Sequence, residues 1–332
     1  MKRKRLFCTL GPSSLNKKFL KFASKKKIDL LRLNLSHIEL KDLSKIIKFI
    51  KENTSCNICI DTEGAQIRTK AKVRKKFKVN QKGFIHNKNE GIFNLYPQTV
   101  FANLRKEDTL DIGFEGLKVK ILKCKKNIIE FKTLSEGYLE NNKGVHLVNR
   151  NINLNFLSTK DIKAIEIAKK MNVKNFALSF TNSHKDILKF NKLLKNENKI
   201  FKIETKNAIQ DFKKMLKYGN KFLIDRGDLS KDISIEKIPV AQRYIISEAN
   251  KKKNKEVYIA TNFLESMIKN SSPTRSEAND IYNSLEMGAS GIVLAAETAI
   301  GVNPEKCVNF IKSLYEIHKK NNKKKLLISS II

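Results

Sequence analysis

No stretch of the 332-residue chain approaches the roughly eighteen consecutive apolar residues of a membrane-crossing helix. Nor does an apolar segment with a small-residue cleavage site follow the basic MKRKR start. These absences argue against a helical membrane span and a secretory leader, and the expectation is a soluble cytoplasmic protein with no membrane partner. The five cysteines, Cys8, Cys56, Cys59, Cys124 and Cys307, form no disulfide framework. Cys56 and Cys59 make one CxxC inside the apolar run CNICI, without a second pair or a following helix. Buried thiols in a reducing compartment are expected there, rather than a metal or redox site. The five histidines show no metal spacing. No GxxxxGK[ST] occurs, so any nucleotide is held without a P-loop. GPSS, at 11–14, reads as a loop and helix start with Ser13 or Ser14 as N-cap. There is no internal repeat, and no low-complexity tract beyond lysine clusters.

Arginine is also scarce, ten residues among 67 basic ones, against 33 acidic residues and a net charge of +34. So large a charge raises binding to nucleic acid or to an anionic membrane. The excess is lysine, however, accompanied by much asparagine and isoleucine, as coding sequence biased toward A and T would give. It is spread over most segments, including the NNKKKLL run near the end. No specific nucleic-acid partner is expected, although the general field favours anionic substrates. An arginine in a candidate site is then a choice for the planar five-donor fork that lysine lacks.

What the sequence does contain is alternation. Short apolar runs at 5–10, 29–34, 56–61, 175–179, 200–204, 222–225, 257–261 and 291–294 read as strands. Between them lie stretches with helical spacing, such as ELKDLSKIIKFI, TKDIKAIEIAKKM, AIQDFKKMLKYG, IPVAQRYIISEAN and RSEANDIYNSLEMG. Gly219 and Gly288 serve as stops, and Pro239, Pro273 and Pro304 lie near starts. Between about Thr69 and Ser158 the alternation breaks into strand-like pieces, FKVNQKGFIH, GLKVKILKC and NIIEFKTL, separated by Gly, Asn and Lys. Setting that lobe aside leaves about 240 residues, close to the ~250 of a (β/α)8 barrel. The expected fold is therefore an α/β TIM barrel with a small β-rich domain inserted after strand 3. A doubly wound open sheet is the runner-up. The predicted segments are 1–69 and 158–325 for the barrel and 70–157 for the lobe.

Barrel chemistry sits where the strands end and the βα loops converge. Polar residues gather at those ends: Arg32, Asn34, Ser36 and His37 in RLNLSH; Asp61, Thr62 and Arg68 in DTEGAQIRT; Lys202 and Glu204 in FKIET; Asp225, Arg226 and Asp228 in IDRGDLS; Thr261 in IATNFLES. Lys202 and Glu204 are two apart on a strand, so both can face the mouth. Glu204 and Asp228 offer hard carboxylate oxygens suited to Mg²⁺ that keeps positions for water and phosphate. Arg32, Arg68 and Lys202 add cations suited to a moving phosphoryl group. A structural salt-bridge network is the competing explanation. Asn34, Ser36, Asp61 and Thr62 could cradle a monovalent cation or cap turns, and His37 could touch a nucleotide phosphate or cap a loop.

CTLGPSS, LLRLNLSH, DTEGAQIRT, FKIET, RGDLS, IPVAQRYII, ATNFLESMIKNSSPTRSEANDI and LAAETAIGVNP occur in the order of matching segments of the pyruvate kinase family, which this chain resembles over about residues 5 to 320. The resemblance implies a barrel interrupted after its third strand by a small β lobe. It implies phosphoryl transfer from phosphoenolpyruvate to ADP, giving pyruvate and ATP, with Mg²⁺ (or Mn²⁺) and K⁺. On it, Lys202 stabilises the moving phosphoryl group, Glu204 and Asp228 hold the divalent ion, and Arg68 binds the phosphate with Arg32 nearby. The backbone at Arg226 and Gly227 holds the substrate carboxylate, and Thr261 assists protonation of the enolate carbon. Asn34, Ser36, Asp61 and Thr62 match the K⁺ ligands. Asn34, His37, Arg68 and Lys143 lie toward the nucleotide, Lys143 being the lysine that the lobe brings down on closing.

Departures accompany the match. Glu63, Ala65 and Gln66 stand where the family has Lys, Pro and Glu, and Gln66 matches neither the glutamate of K⁺-dependent members nor the lysine of independent ones. Asp225 replaces an alanine, Ser230 a glycine, and LAAETA an SGETA; Ser179 to Asn182 lose an arginine. The added carboxylate at Asp225 would either weaken phosphate binding or pair with a lysine. The family's C-terminal regulatory domain is expected to be absent, which disfavours sugar-phosphate allostery and the usual tetramer but not a barrel-to-barrel homodimer. A catalytically impaired pyruvate kinase-like binding or regulatory protein is the alternative function.

Overall fold

The computed structural model describes residues 3–87, 91–113, 116–148, 150 and 152–321. Most of the NNKKKLL run and the last predicted barrel residues, 322–325, lie outside them. The eight apolar runs form β1 (Arg5–Thr9), β2 (Leu30–Asn34), β3 (Asn57–Asp61), β4 (Asn175–Leu178), β5 (Asn198–Ile203), β6 (Lys221–Asp225), β7 (Glu256–Ala260) and β8 (Gly291–Leu294). They pair in parallel, each beside its sequence neighbour, and β8 returns to β1 to close the barrel. Parallel strands covered by helices are buried on both faces, which is why these runs are nearly continuous in Leu, Ile, Val and Phe. One core cluster consists of Phe7, Leu30, Cys59, Ala177, Ile200, Leu223, Tyr258, Ala260 and Val293. Phe7 and Tyr258 pack with ring centroids 4.4 Å apart.

The described residues divide into two compact units, the barrel within 3–64 and 159–321 and a second within 65–158. In the second, seven strands form a sheet in the order Lys82–His86, Ile128–Thr133, Leu117–Cys124, Thr109–Ile112, Gly144–Leu147, Ile67–Ala71 and Phe93–Tyr96. Its pairings are antiparallel, and Phe77, Phe93, Val119, Ile121 and Phe131 are among the residues of its own core.

Helix starts follow capping chemistry rather than serine content alone. The first barrel helix, Lys17–Lys25, is capped by Asn16, whose side chain accepts from the Phe19 amide at 2.9 Å. Ser14, predicted for that role along with Ser13, instead folds its own loop: its Oγ accepts from the Gly11 amide and donates to the Thr9 carbonyl. The expected helices at Leu40–Asn53, Thr159–Lys170, Lys206–Tyr218, Ile238–Asn250 and Arg275–Glu286 are all present. The five cysteines are free thiols, Cys56 half-buried and Cys59 buried. Among the described residues no helix is long and apolar enough to cross a membrane.

One buried carboxylate holds the turn after β3. Asp161, fully buried in the first turn of Thr159–Lys170, accepts from the amides of Glu63 at 2.7 Å and Gly64 at 3.1 Å. Gly64 has φ +67°, and a Cβ there would lie 2.4 Å from the Ser179 carbonyl oxygen, so only glycine fits. Asp161→Ala strands two buried donors and is expected to cost about 3 kcal/mol in urea unfolding. A loss below about 1 kcal/mol would show that the turn stands without it.

Candidate active site

Side chains alternate along a strand, so the residue two beyond an inward apolar one also faces the barrel axis. Two residues beyond Phe7, Leu30, Cys59, Ala177, Ile200 and Leu223 stand Thr9, Arg32, Asp61, Ser179, Lys202 and Asp225. The core layer is thus capped by a polar one at the C-terminal end of the barrel. Its members are linked in order. Arg32 Nε donates to Thr9 Oγ1 at 3.0 Å, and Arg32 Nη1 pairs with Asp61 Oδ2 at 3.2 Å. Ser179 Oγ donates to Asp61 Oδ1 at 3.1 Å.

Lys202 lies at the centre, only 4% exposed. Its Nζ is 2.8 Å from Glu204 Oε1, 3.2 Å from Asp225 Oδ2, 3.2 Å from Ser179 Oγ and 3.5 Å from Asp61 Oδ2. Burial works against a charge on Lys202, but Asp61, Glu204 and Asp225 outweigh it, and the ammonium holds its proton more firmly than usual. Arg32 is likewise opposed by burial and strengthened by Asp61 and Asp225.

Glu204 behaves differently. Burial pushes its carboxyl up, Lys202 pulls it down, and the charges of Asp228 and Asp225 push it up again, to about 8. Burial alone would raise Asp225 too, but Lys202 and Arg32 hold it below the ordinary carboxyl value. Glu204 Oε2 accepts from the Phe180 amide at 2.5 Å. Glu204, Asp225 and Asp228 each present an oxygen within 4.8 Å of the others, the one cation-ready group of its kind among the described residues. Three hard oxygen donors, Glu204 among them once its proton leaves, fit a divalent ion such as Mg²⁺ or Mn²⁺.

Backbone strain borders this cluster. Thr261, β-branched, has φ +69°, and Phe180 has φ +49°. Such residues cost about 1–3 kcal/mol each and persist where the surroundings over-determine them. Thr261 is pinned on several sides: its Oγ1 accepts from the Gly227 amide at 2.9 Å, and its carbonyl accepts from Arg226 Nη2 at 2.6 Å. Arg226 also pairs with Asp280 at 2.8 Å and lies 4.1 Å over the Phe263 ring, so its side chain braces the β7 loop.

Asn34 ends β2, and its Oδ1 accepts from the Ser36 amide at 3.0 Å; Thr62 Oγ1 accepts from the Ser179 amide at 3.0 Å. Both thus shape turns, beside Asp61, which pairs in register with Asn34. Ser36 is buried and His37 exposed in the same short turn. Glu63 pairs with Lys160 at 3.0 Å. Arg68 and Lys143 belong to the second unit. There Arg68 Nη1 donates to the Asn142 carbonyl at 3.2 Å, and Lys143 Nζ pairs with Glu140 at 2.8 Å. At the opposite end of the barrel, a cavity of about 950 Å³ is lined by Arg3, Arg5, Lys221, Lys252 and Lys255 with Asp29 and Glu256; it holds none of the clustered carboxylates.

With a lysine and three carboxylates converging on the barrel mouth, the comparisons with known proteins become decisive. Residues 1–308 match the family described as pyruvate kinase, barrel domain. The chain belongs to the pyruvate kinase family. The pyruvate kinase of Chlamydia muridarum is 27% identical over 331 residues, 95% of this chain and 68% of its own. That of Thermotoga maritima is 28% identical, covering 98% of this chain and 72% of its own. That of Staphylococcus epidermidis is 30% identical, covering 95% of this chain and 56% of its own. Within the family pattern, Ser179 is the mouth residue that was not singled out, whereas Asp225 takes the second of its two expected courses and pairs with a lysine. Ser179 contacts Lys202 and Asp61, and Asp225 contacts Lys202. The alternation along β4 was the signal that could have found Ser179.

Proposed function

We propose that this protein catalyses divalent-cation-dependent phosphoryl transfer from phosphoenolpyruvate to ADP, giving pyruvate and ATP in the cytoplasm. The observation that carries the proposal is Lys202 Nζ, buried and shared among Glu204, Asp225 and Asp61 beside a three-carboxylate cluster. A rigidly held cation suits a reaction in which charge on equatorial phosphoryl oxygens must be stabilised and little covalent chemistry falls to the protein.

In this proposal Glu204 and Asp228 hold Mg²⁺ or Mn²⁺, which when bound supplies fixed positive charge facing the phosphoryl oxygens. Lys202 meets the same oxygens from the other strand-end position and transfers no proton, since its neighbours keep it charged. Arg32, fixed by Thr9 and Asp61, adds a second cation. The loop at Arg226 and Gly227 takes the substrate carboxylate, the Gly227 amide exchanging its bond to Thr261 Oγ1 for one to substrate. Thr261 Oγ1, so released, orients the water-linked proton for the enolate carbon. Asn34, Ser36, Asp61 and Thr62 are proposed K⁺ ligands, and Asn34 and His37 nucleotide contacts. Arg68 and Lys143 are the second unit's proposed anion ligands.

The test is continuous pyruvate formation by the purified chain from phosphoenolpyruvate and ADP, with Mg²⁺ and with K⁺ present or absent. A folded protein that binds phosphoenolpyruvate without turnover would instead support a binding or regulatory descendant. That second reading is favoured by one observation, the Asp225 carboxylate set against Lys202. The Glu204 carboxyl also predicts a pH dependence. Below about 8 a proton must leave before the divalent ion binds, so Mn²⁺ affinity is expected to climb by up to about tenfold per pH unit toward that value and then level off. A profile flat between about pH 6 and about pH 9 would exclude Glu204 as a ligand.

A further inference from the structure

We propose that Asp225 is a third carboxylate of the divalent site and, through its ion pair with Lys202, imposes an order in which the divalent cation binds before the phosphorylated substrate. The inference rests on the proposed function only for the identity of that substrate.

Asp225 ends β6 and is 4% exposed. It stands two residues beyond the inward Leu223, so the alternation of the strand aims it into the mouth. Its Oδ2 is 3.2 Å from Lys202 Nζ, and it presents an oxygen within 4.8 Å of those of Glu204 and Asp228. Residue 227, which has no side chain, leaves room for about one carbon-sized atom beside it. A Cβ on Gly227 would meet nothing nearer than Asp225 Oδ1 and Thr261 Oγ1, each at 3.6 Å. A small ion or a water on one can reach Asp225 there.

The charges decide the order. Three carboxylates, Asp61, Asp225 and Asp228, face two cations, Lys202 and Arg32, and Glu204 adds a fourth once it gives up its proton. Such a mouth attracts a divalent cation on its own and repels a phosphate until the cation is in place. Glu204 and Asp225 also divide Lys202 between them. When Glu204 turns to the cation, Asp225 remains as counter-ion to the ammonium, so metal binding does not strip Lys202 of its partner. With a small apolar residue at 225, Glu204 would be the nearest carboxylate to both cations, and each would weaken its hold on the other.

The experiment is titration of the full-length chain with Mn²⁺, free ion being read by electron paramagnetic resonance, without substrate and at fixed pH. Wild type is compared with Asp225→Ala and with the near-isosteric Asp225→Asn, which guards against loss of fold in the alanine variant. Phosphoenolpyruvate binding is measured separately in chelator. The expected result is Mn²⁺ affinity about tenfold or more weaker in both variants, as loss of one charged ligand gives, with metal-free phosphoenolpyruvate binding several-fold tighter. Mn²⁺ affinity within about twofold of wild type in folded Asp225→Asn overturns the proposal, as does a wild type that takes up no Mn²⁺. Turnover is scored apart. An inactive wild type that still shows the Asp225 effect sinks the phosphotransferase assignment and leaves the third ligand standing.

Discussion

Lys202→Ala should lower kcat for pyruvate formation by about 10³- to 10⁵-fold, the range for losing a cation that meets transferring phosphoryl oxygens. The effect should fall on kcat more than on KM, because the contact strengthens as charge moves. Stability will change too. Truncation leaves Glu204, Asp225 and Asp61 buried around the vacated ammonium position, and breaking a buried pair costs about 3–5 kcal/mol. That penalty has a pH signature. The carboxylates lose their cation, so their proton affinities rise, and the variant should be closest to wild type in acid and fall furthest behind above neutrality. Lys202→Arg keeps the charge but swaps a point donor for a planar fork, and should restore more of the stability than of the rate. Rates and urea unfolding measured on the same preparations separate the two roles. A folded Lys202→Ala protein turning over within about tenfold of wild type would remove Lys202 from the chemistry.

Much of this arrangement was legible because strand alternation is a rule with few exceptions. Once the runs LLRLN, CNICID, FKIE and FLID are aligned as barrel strands, the residues two beyond the inward apolar ones must also face the axis, nearer the mouth. Arg32, Asp61, Lys202 and Asp225 do so, and meet there in ion pairs. The same rule gives Ser179, a residue whose type alone gives no sign of chemistry. Other contacts had no local signal. Asp161 takes the amides of Glu63 and Gly64 from almost a hundred residues away, after the chain has passed through the second unit. The Phe180 amide reaches Glu204 because the backbone turns left-handed there, a choice made by packing and not by phenylalanine. In the second unit, strands at Phe93–Tyr96 and Thr109–Ile112 are too short for periodicity to reveal, and pairing partners distant in sequence define them. Asn16 displaced the serines as first cap because the apolar face of Lys17–Lys25, Phe19, Leu20 and Ala23, sets where the helix begins.

Glu204→Gln should abolish tight Mn²⁺ binding and most turnover, yet make the metal-free protein more stable in alkali. The folded state holds the Glu204 proton up to about 8, against an ordinary carboxyl value of 4.5. Between those values the unfolded chain releases a proton that the folded chain keeps, so this carboxyl costs stability as pH rises. The cost is absent well below 4.5, grows through neutrality and is complete above about 8, reaching up to about 5 kcal/mol. Glutamine has no proton to lose, although its single carbonyl oxygen can accept from Lys202 or from the Phe180 amide but not from both. The variant should therefore gain on wild type as pH rises from about 4 to about 9 in chelator, by up to about 5 kcal/mol. Mg²⁺ should reverse the ranking. Ligand binding stabilises the folded state by mass action, so wild type gains with Mg²⁺ concentration while the variant does not. Thermal melts at pH 9 with chelator and with Mg²⁺ would show that crossing. Without it, the strain at Glu204 would be structural, because a carboxylate kept for metal binding is destabilising only until the metal arrives.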